Sequence, residues 1–480
     1  MPPSSLNFQI LSEQEVDQIE ETTFRLLEEV GIRLQHERAI EMLHGRGCRV
    51  QGDRVLIPRE VVAWGLANVE RDTIFRSADG SLEAVLGQGH FLTHNGGSVP
   101  NFEDLQTGKR RPATLEDLVN GIRVLDALPN IDVVIPLVGP QDVPGELLTL
   151  VSFETILHHT RKPIAGAPAE SPTDVYYMVE LAAACCGGKD AFRARPTIPI
   201  MVSPVSPLRF TEKGTSAILA VVDAGAPFFP LPAPTMGASG LITMAGVLAQ
   251  QHAEVLASIV IAAAACPGAS VTYCSRINPI DMRRGVASWG GSNMGMAGAC
   301  ATQLAHRHGL KCDAYGLCTS AATLDPRFAY EKFANALMPA LAGADILSGA
   351  GTMDSGMTAT LAGAVIDNEM ISLIRHILSG FEVNEETLGF DVMNKVILSS
   401  GDFLGQLHTR QHLRDGTLWF PEISDRVIKT EGDARVSVAT LAHDQALDLI
   451  KTHKTDPLPE AVSRNLAEIM EQARRELVPT

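Results

Sequence analysis

The chain has 480 residues, 45% of them hydrophobic and 20% charged, which is enough apolar material for a substantial core and excludes wholesale disorder. Fifty-six acidic residues against 39 basic ones give a formal charge of −17, which argues against a nucleic-acid backbone or an anionic membrane as partner. The 8 cysteines include no C-x-x-C pair, and a chain this large needs no staples, so they read as reduced thiols of a cytoplasmic protein.

The N-terminal stretch MPPSSLNFQILSEQEVDQIEE is acidic and lacks the basic and apolar regions of a signal peptide. Residues 1–85 read as a helical extension. Ser12 and Glu15 make a capping-box pattern, and Val16, Ile19, Leu26, Leu27 and Val30 keep roughly a 3.6-residue period up to Gly31. A second short helix is expected at 36–45, and an extended piece at Val55–Ile57.

From about residue 89 short apolar runs alternate with helical patterns. The runs are Phe91–His94, Ile131–Val138, Pro163–Ala167, Thr197–Val202, Pro227–Leu231, Ser270–Cys274, Cys312–Leu317 and Asp345–Ser348. The helical segments between them are 114–128, 145–161, 173–186, 211–225, 240–265, 293–309 and 327–342. Apolar strands alternating with helices fit a parallel sheet buried on both faces, closed into a (β/α)8 TIM barrel over 86–357. A doubly wound sheet is the competitor, but neither a G-x-G-x-x-G nor a Walker A motif is present. The longest strongly apolar run, Val255–Cys266, falls short of the ~20 residues of a membrane span. Residues 358–480 read as a C-terminal helical region packed on the barrel. Val365–Leu378 is amphipathic, and further helices are expected near 392–400, 402–414, 434–452 and 458–476.

Function in a barrel sits at the C-terminal ends of the strands. The loops expected there are rich in Gly and Pro: THNGGSVPN (93–101), SPVSP (203–207), PAPTMGASG (232–240), YCSRINPID (273–281), YGLCTSAATLD (315–325) and SGAGTMDSG (348–356). Together they suggest a ligand-binding rim. G-x-S-x-G and H-E-x-x-H are both absent. His408 and His412 have metal-ligand spacing on a helix, but no third ligand is obvious, so no metal site is assigned and surface histidines are the plainer reading. Cys318 is either a nucleophile or a small buried side chain. Asp367 and Glu369 lie early in a helix, where dipole stabilisation accounts for them.

Longer blocks carry a more specific signal: ETTFRLLEEVGI (21–32), SPVSPL (203–208), QHAEVLASIVIAAAACPGA (251–269), YEKFANALMPALAGADILSGAGTMDSGMT (330–358), VIDNEMISLI (365–374) and FLGQLHTRQHLR (403–414). In these the chain resembles the trimethylamine methyltransferase family, from about residue 8 to 475. The resemblance implies a barrel enzyme that passes a methyl group from a methylated amine to Co(I) of a corrinoid carried by a partner protein, with no cofactor tightly bound to the chain. It also implies that the pyrrolysine position of trimethylamine enzymes falls on Cys318, counting back from Tyr330-Glu331-Lys332. That departure points to the branch lacking pyrrolysine, similar to glycine betaine methyltransferases, with a quaternary amine as substrate. For such a cation the expected cage draws on Tyr273, Phe229, Tyr315 and Trp289, with Asp354 or Asp325 as nearby charge; core packing for the aromatics and helix capping for Asp325 compete. Arg276 is expected to pair with a betaine carboxylate, or else to form a structural salt bridge, and Asn95, Gly96 and Gly97 are expected to line the pocket. A homo-oligomer is expected. The alternatives are a zinc-assisted methyltransferase using His408, His412 and a Cys, and a non-catalytic betaine-binding barrel.

Overall fold

The computed structural model describes residues 8–87, 90–166, 168–399, 401–423 and 436–478. Its apolar runs form a closed ring of eight parallel strands, six of which are Leu92–Asn95, Ile200–Val202, Phe228–Pro230, Tyr273–Ser275, Cys312–Ala314 and Ile346–Ala350. The second and third are shorter and are marked by bridges at Val133, Val134 and Ile164. Neighbours pair in chain order: His94 with Val133, Val134 with Ile164, and Phe228 with Val271. Gly166 N donates to Pro199 O at 2.9 Å, joining the third strand to the fourth. Ile200 pairs with Phe228, Tyr273 with Cys312 and Asp313 with Ile346, and Ile346 pairs with Leu92 to close the ring. This is the (β/α)8 barrel expected from the alternation; closure leaves no strand edge unpaired.

The helices that follow the eight strands are Leu115–Ala127, Leu148–His159, Pro172–Cys186, Glu212–Asp223, Met244–Ala265, Gly291–Arg307, Pro326–Leu341 and Leu361–Ser379. Several begin on side-chain caps. Thr114 and Asp117 form a capping box, Ser171 accepts from Asp174 N ahead of Pro172, and Asp325 accepts from Arg327 N and Phe328 N ahead of Pro326. Met244–Ala265 is long and apolar enough to cross a membrane, but 89% of its most apolar window is buried inside the protein, where it fills the space between barrel and N-terminal helices.

Strand side chains alternate between the barrel interior and the surrounding helices. Leu92, Val133, Ile135, Ala165, Met201, Phe229, Cys274 and Ile346 point inward and form one apolar cluster with Phe75 and Leu86. Phe75 belongs to the hairpin Ile74–Arg76/Glu83–Val85 and meets Phe229 edge-on at 5.7 Å. Ile164 N donates to Arg76 O, and Arg76 Nη1 to Pro196 O. The hairpin thus plugs the N-terminal end of the barrel and leaves the C-terminal end for a site.

Two expected boundaries change. The 1–85 extension is not purely helical. It holds the helices Glu13–Arg25, Glu37–His44 and Arg59–Ala67, together with the strand Ile32–Leu34 and two hairpins, whose strands are too short to show a period. The barrel also runs past 357. A small ladder of Thr352–Met353 with Thr358–Ala359 separates the last strand from its helix, Leu361–Ser379. Beyond lie Glu385–Leu388, Phe390–Ser399, Leu407–Arg414, Val438–Thr452 and Glu460–Leu477. The last two pack on the barrel helices: Arg123 Nη1 donates to Ile450 O, and the Tyr177 hydroxyl donates to Glu476. The expected positions Ala167, Ser400 and 434–435 lie outside the described residues.

Candidate active site

Above the apolar floor the inward positions turn polar. His94 from the first strand, Arg276 just past the sixth, Asp313 from the seventh and Ser348 from the eighth converge, and all four are buried. Arg276 Nη2 donates to Asp313 Oδ2 at 2.6 Å, and its Nη1 donates to the carbonyls of Ser275 (2.9 Å) and Asp313 (3.1 Å). The Ser348 hydroxyl donates to Asp313 Oδ1 at 2.8 Å. Burial by itself would raise the Asp313 carboxyl, but the adjacent Arg276 guanidinium and His94 override it and hold it well below the usual carboxylate range. Arg276 is in turn held firmly protonated: burial opposes its charge and Asp313 outweighs burial. Two of the five guanidinium N–H groups, one on Nε and one on Nη2, have no partner among the described residues.

His94 lies beside this pair. Its Nδ1 is 2.7 Å from Asn95 O, whereas its Nε2 stands 3.7 Å from Asp313 Oδ2 and is a buried nitrogen without a hydrogen bond among the described residues. Gln251, buried on the Met244–Ala265 helix, accepts from Arg276 N at 3.1 Å and bonds Ser275 Oγ, fixing the turn that carries Arg276. Toward the mouth Tyr315 covers the guanidinium, with Arg276 Cζ 5.0 Å from its ring centre, and Trp289 meets Tyr315 edge-on at 5.5 Å. A Cβ at Gly96 would sit 2.4 Å from Thr352 Cγ2 and 3.1 Å from the Tyr315 hydroxyl, so the first strand passes this close only as glycine.

Of the residues expected at the site, Arg276, Tyr315, Trp289 and Gly96 come together. Asn95 is buried next to them but clips two strands: its amide donates to Ile135 O and accepts from Ile135 N. Gly97 packs on Ile135. Tyr273 and Phe229 are not at the rim. Tyr273 faces outward with its hydroxyl 3.3 Å from His252 Nδ1, because a one-residue step along a strand reverses the face, and Phe229 faces inward but lies too deep, in the apolar floor. Asp354 pairs with Arg110 at 2.8 Å, which neutralises it, and Asp325 is a helix cap. Cys318 is buried with Sγ 3.4 Å from Tyr315 O, and burial pushes its thiol up, away from the reactive thiolate. Asp367 is not a dipole residue: fully buried, it takes a 2.7 Å ion pair from Lys332 and accepts from Gly351 N. His408 and His412 do meet, but their third neighbour is Glu386 rather than a cysteine, on the outer helix Leu407–Arg414.

His94, Asp313 and Ser348 were missed. The available signal was a lone Asp and a lone His inside runs otherwise read as strands apolar on both faces, where a charged group needs a partner.

A closed barrel with a charged layer buried under aromatics at the C-terminal mouth is the architecture of a small-molecule enzyme. The trimethylamine methyltransferase (MTTB) family matches residues 4–478, so the chain belongs to that family and is a methyltransferase. It is 28% identical over 469 residues to the trimethylamine methyltransferase MttB of Desulfitobacterium hafniense (strain DSM 10664 / DCB-2), covering 97% of this chain and 94% of that one. It is likewise 28% identical to the glycine betaine methyltransferase of Desulfitobacterium hafniense (strain Y51), with 98% of each covered. Among solved structures, the Methanosarcina barkeri monomethylamine methyltransferase (MtmB) superposes with a TM-score of 0.50 at 15% identity, over 97% of this chain and 92% of that one, a likeness of fold.

Proposed function

We propose that the protein takes a methyl group from a quaternary amine, glycine betaine or a related betaine, and passes it to the Co(I) of a corrinoid held by a separate partner protein. A quaternary nitrogen is already cationic, so the amine leaves neutral and needs neither a general acid nor a covalent activator. The buried, unreactive Cys318 at the position matching pyrrolysine suits such a substrate. The corrinoid is an acceptor substrate brought to the open end of the barrel, where it supplies the nucleophile. The chain's own residues supply position. They must also hold the cation without over-stabilising it, because its charge disappears as the methyl leaves.

The observation that carries this reading is the buried Arg276–Asp313 pair against the Tyr315–Trp289 rings. The pair is a dipole of zero net charge, which suits a zwitterion better than a simple cation. The two unengaged N–H groups of Arg276 take the betaine carboxylate. The aromatic rings face the ammonium. The eight free thiols suit the reducing cytoplasm. The second partner is another copy of this chain: Phe381, Leu398 and Leu404, in the segment that leaves the barrel after the Leu361–Ser379 helix, are 80%, 80% and 82% exposed.

The test is anaerobic mixing with Co(I) cobalamin and a panel of glycine betaine, proline betaine, carnitine, choline and trimethylamine, with methyl–cobalt formation followed by absorbance. Transfer from at least one betaine is expected, with little from trimethylamine, and Cys318→Ala retains activity within about threefold, as befits a packing residue. Turnover of trimethylamine alone, or its loss in Cys318→Ala, refutes the reading.

A further inference from the structure

Outside the mouth, one cluster has no role in the reaction. Glu20 on the Glu13–Arg25 helix, His252 on the Met244–Ala265 helix and His308, just after the Gly291–Arg307 helix, each bring one ligand atom, a carboxylate oxygen or a ring nitrogen, within 4.8 Å of the others. Glu20 Oε1, His252 Nε2 and His308 Nε2 are buried, and among the described residues none of them has a hydrogen bond of good geometry. His308 Nε2 lies 2.7 Å from Glu20 Oε1, but off the direction of a hydrogen bond. The two imidazoles stack at 5.4 Å with 20° between their planes. His252 is completely buried, and its other nitrogen, Nδ1, meets the Tyr273 hydroxyl at 3.3 Å. That contact sets the ring and, with Nδ1–H donated to Tyr273, leaves a lone pair on Nε2. Tyr273, misplaced by the sequence reading, is an orienting residue here.

We propose that Glu20, His252 and His308 bind a divalent transition-metal ion, zinc by ligand chemistry, which ties the N-terminal helix to the barrel. Two imidazole nitrogens and one carboxylate oxygen form a borderline-soft set that suits zinc and disfavours calcium or magnesium. Atoms sharing a zinc ion lie roughly 3–4 Å apart, so the cluster needs only a small adjustment. Water would complete the coordination from the His308 side, whose side chain is 16% exposed. Arg307 Nε, 3.7 Å from Glu20 Oε2, engages the other carboxylate oxygen and leaves Oε1 to the metal. His308 lies in the turn leading into the Cys312–Ala314 strand, at the end opposite the mouth, so the role is structural. The N-terminal helix is already placed for it: Thr23 Oγ1 donates to Ala249 O, and Gln303 bonds the backbone of Ile10 and Leu11.

The test uses the full chain carrying His408→Ala and His412→Ala, which removes the partly buried histidine pair of the outer helix. After chelator treatment and dialysis it is titrated with Zn²⁺, with bound metal read by mass spectrometry and Tm by calorimetry, and separately with Co²⁺ for visible d–d bands. One zinc per chain, a Tm rise of a few degrees and d–d bands of a low-coordinate site are expected. His308→Gln and Glu20→Gln, made in the same background, should lose the metal and the Tm response. Failure of the parent to retain zinc, absence of the Co²⁺ bands, or full retention by both Gln variants would refute the site; the cluster is then an ion pair only.

Discussion

Arg276 stands where its sequence position puts it, just beyond the sixth strand, but its first partner is Asp313, and the Arg276 charge and that of Asp313 stand or fall together. Removing one side of a fully buried pair strands the other. Asp313→Ala should therefore lose about 3–5 kcal/mol of stability in urea unfolding. The pH dependence has a definite sign. The Asp313 carboxyl is depressed in the fold relative to the unfolded value of about 3.9, so its contribution is complete above about pH 5 and disappears as pH falls through the acid range toward the folded value. The gap in stability between wild type and Asp313→Ala should be constant from about pH 5 to 8 and narrow below about pH 4. A gap that widens with acid contradicts the pairing.

The elements divide the barrel into a floor, a polar layer and a rim. The Ile74–Arg76/Glu83–Val85 hairpin builds the floor by inserting Phe75, which is fully buried against Phe229. Phe75→Ala opens a cavity there and should cost about 3–5 kcal/mol, seen as a lower midpoint with an unchanged slope in urea unfolding. The same variant should leave the affinity for a bound amine nearly unchanged, because the polar layer hangs from the strands and from Gln251, not from the hairpin. The seventh and eighth barrel helices are joined by Lys332 and Asp367, buried together beneath the last strand. A helix-dipole reading of Asp367 failed because its partner lies on another helix, where no local pattern points to it.

At the scale of the molecule the C-terminal segment is the outlier. Phe381, Val383, Phe390, Ile397, Leu398, Leu404 and Leu407 are all exposed along it. The segment starts from the C-terminus of the Leu361–Ser379 helix, at the barrel end away from the mouth, so the second copy proposed above would not obstruct the mouth. Light scattering should find an oligomer, and Phe381→Asp with Leu404→Asp should dissociate it without changing the far-ultraviolet circular dichroism. A monomeric wild type contradicts the assignment.

The eight apolar runs, the helices between them and the Ser12–Glu15 capping box were legible because each is a local pattern of a few residues. Arg276, Tyr315 and Trp289 were legible for the same reason, since strand-end position is local. The face that Tyr273 presents was not, because a shift of one residue along a strand exchanges inside for outside, and neither was the depth of Phe229, since only the closed ring settles register and layer. The pairings of Arg276 with Asp313, Lys332 with Asp367, and Glu20 with two histidines join residues far apart in sequence. Burial makes such groups find each other, and burial is a property of the folded whole.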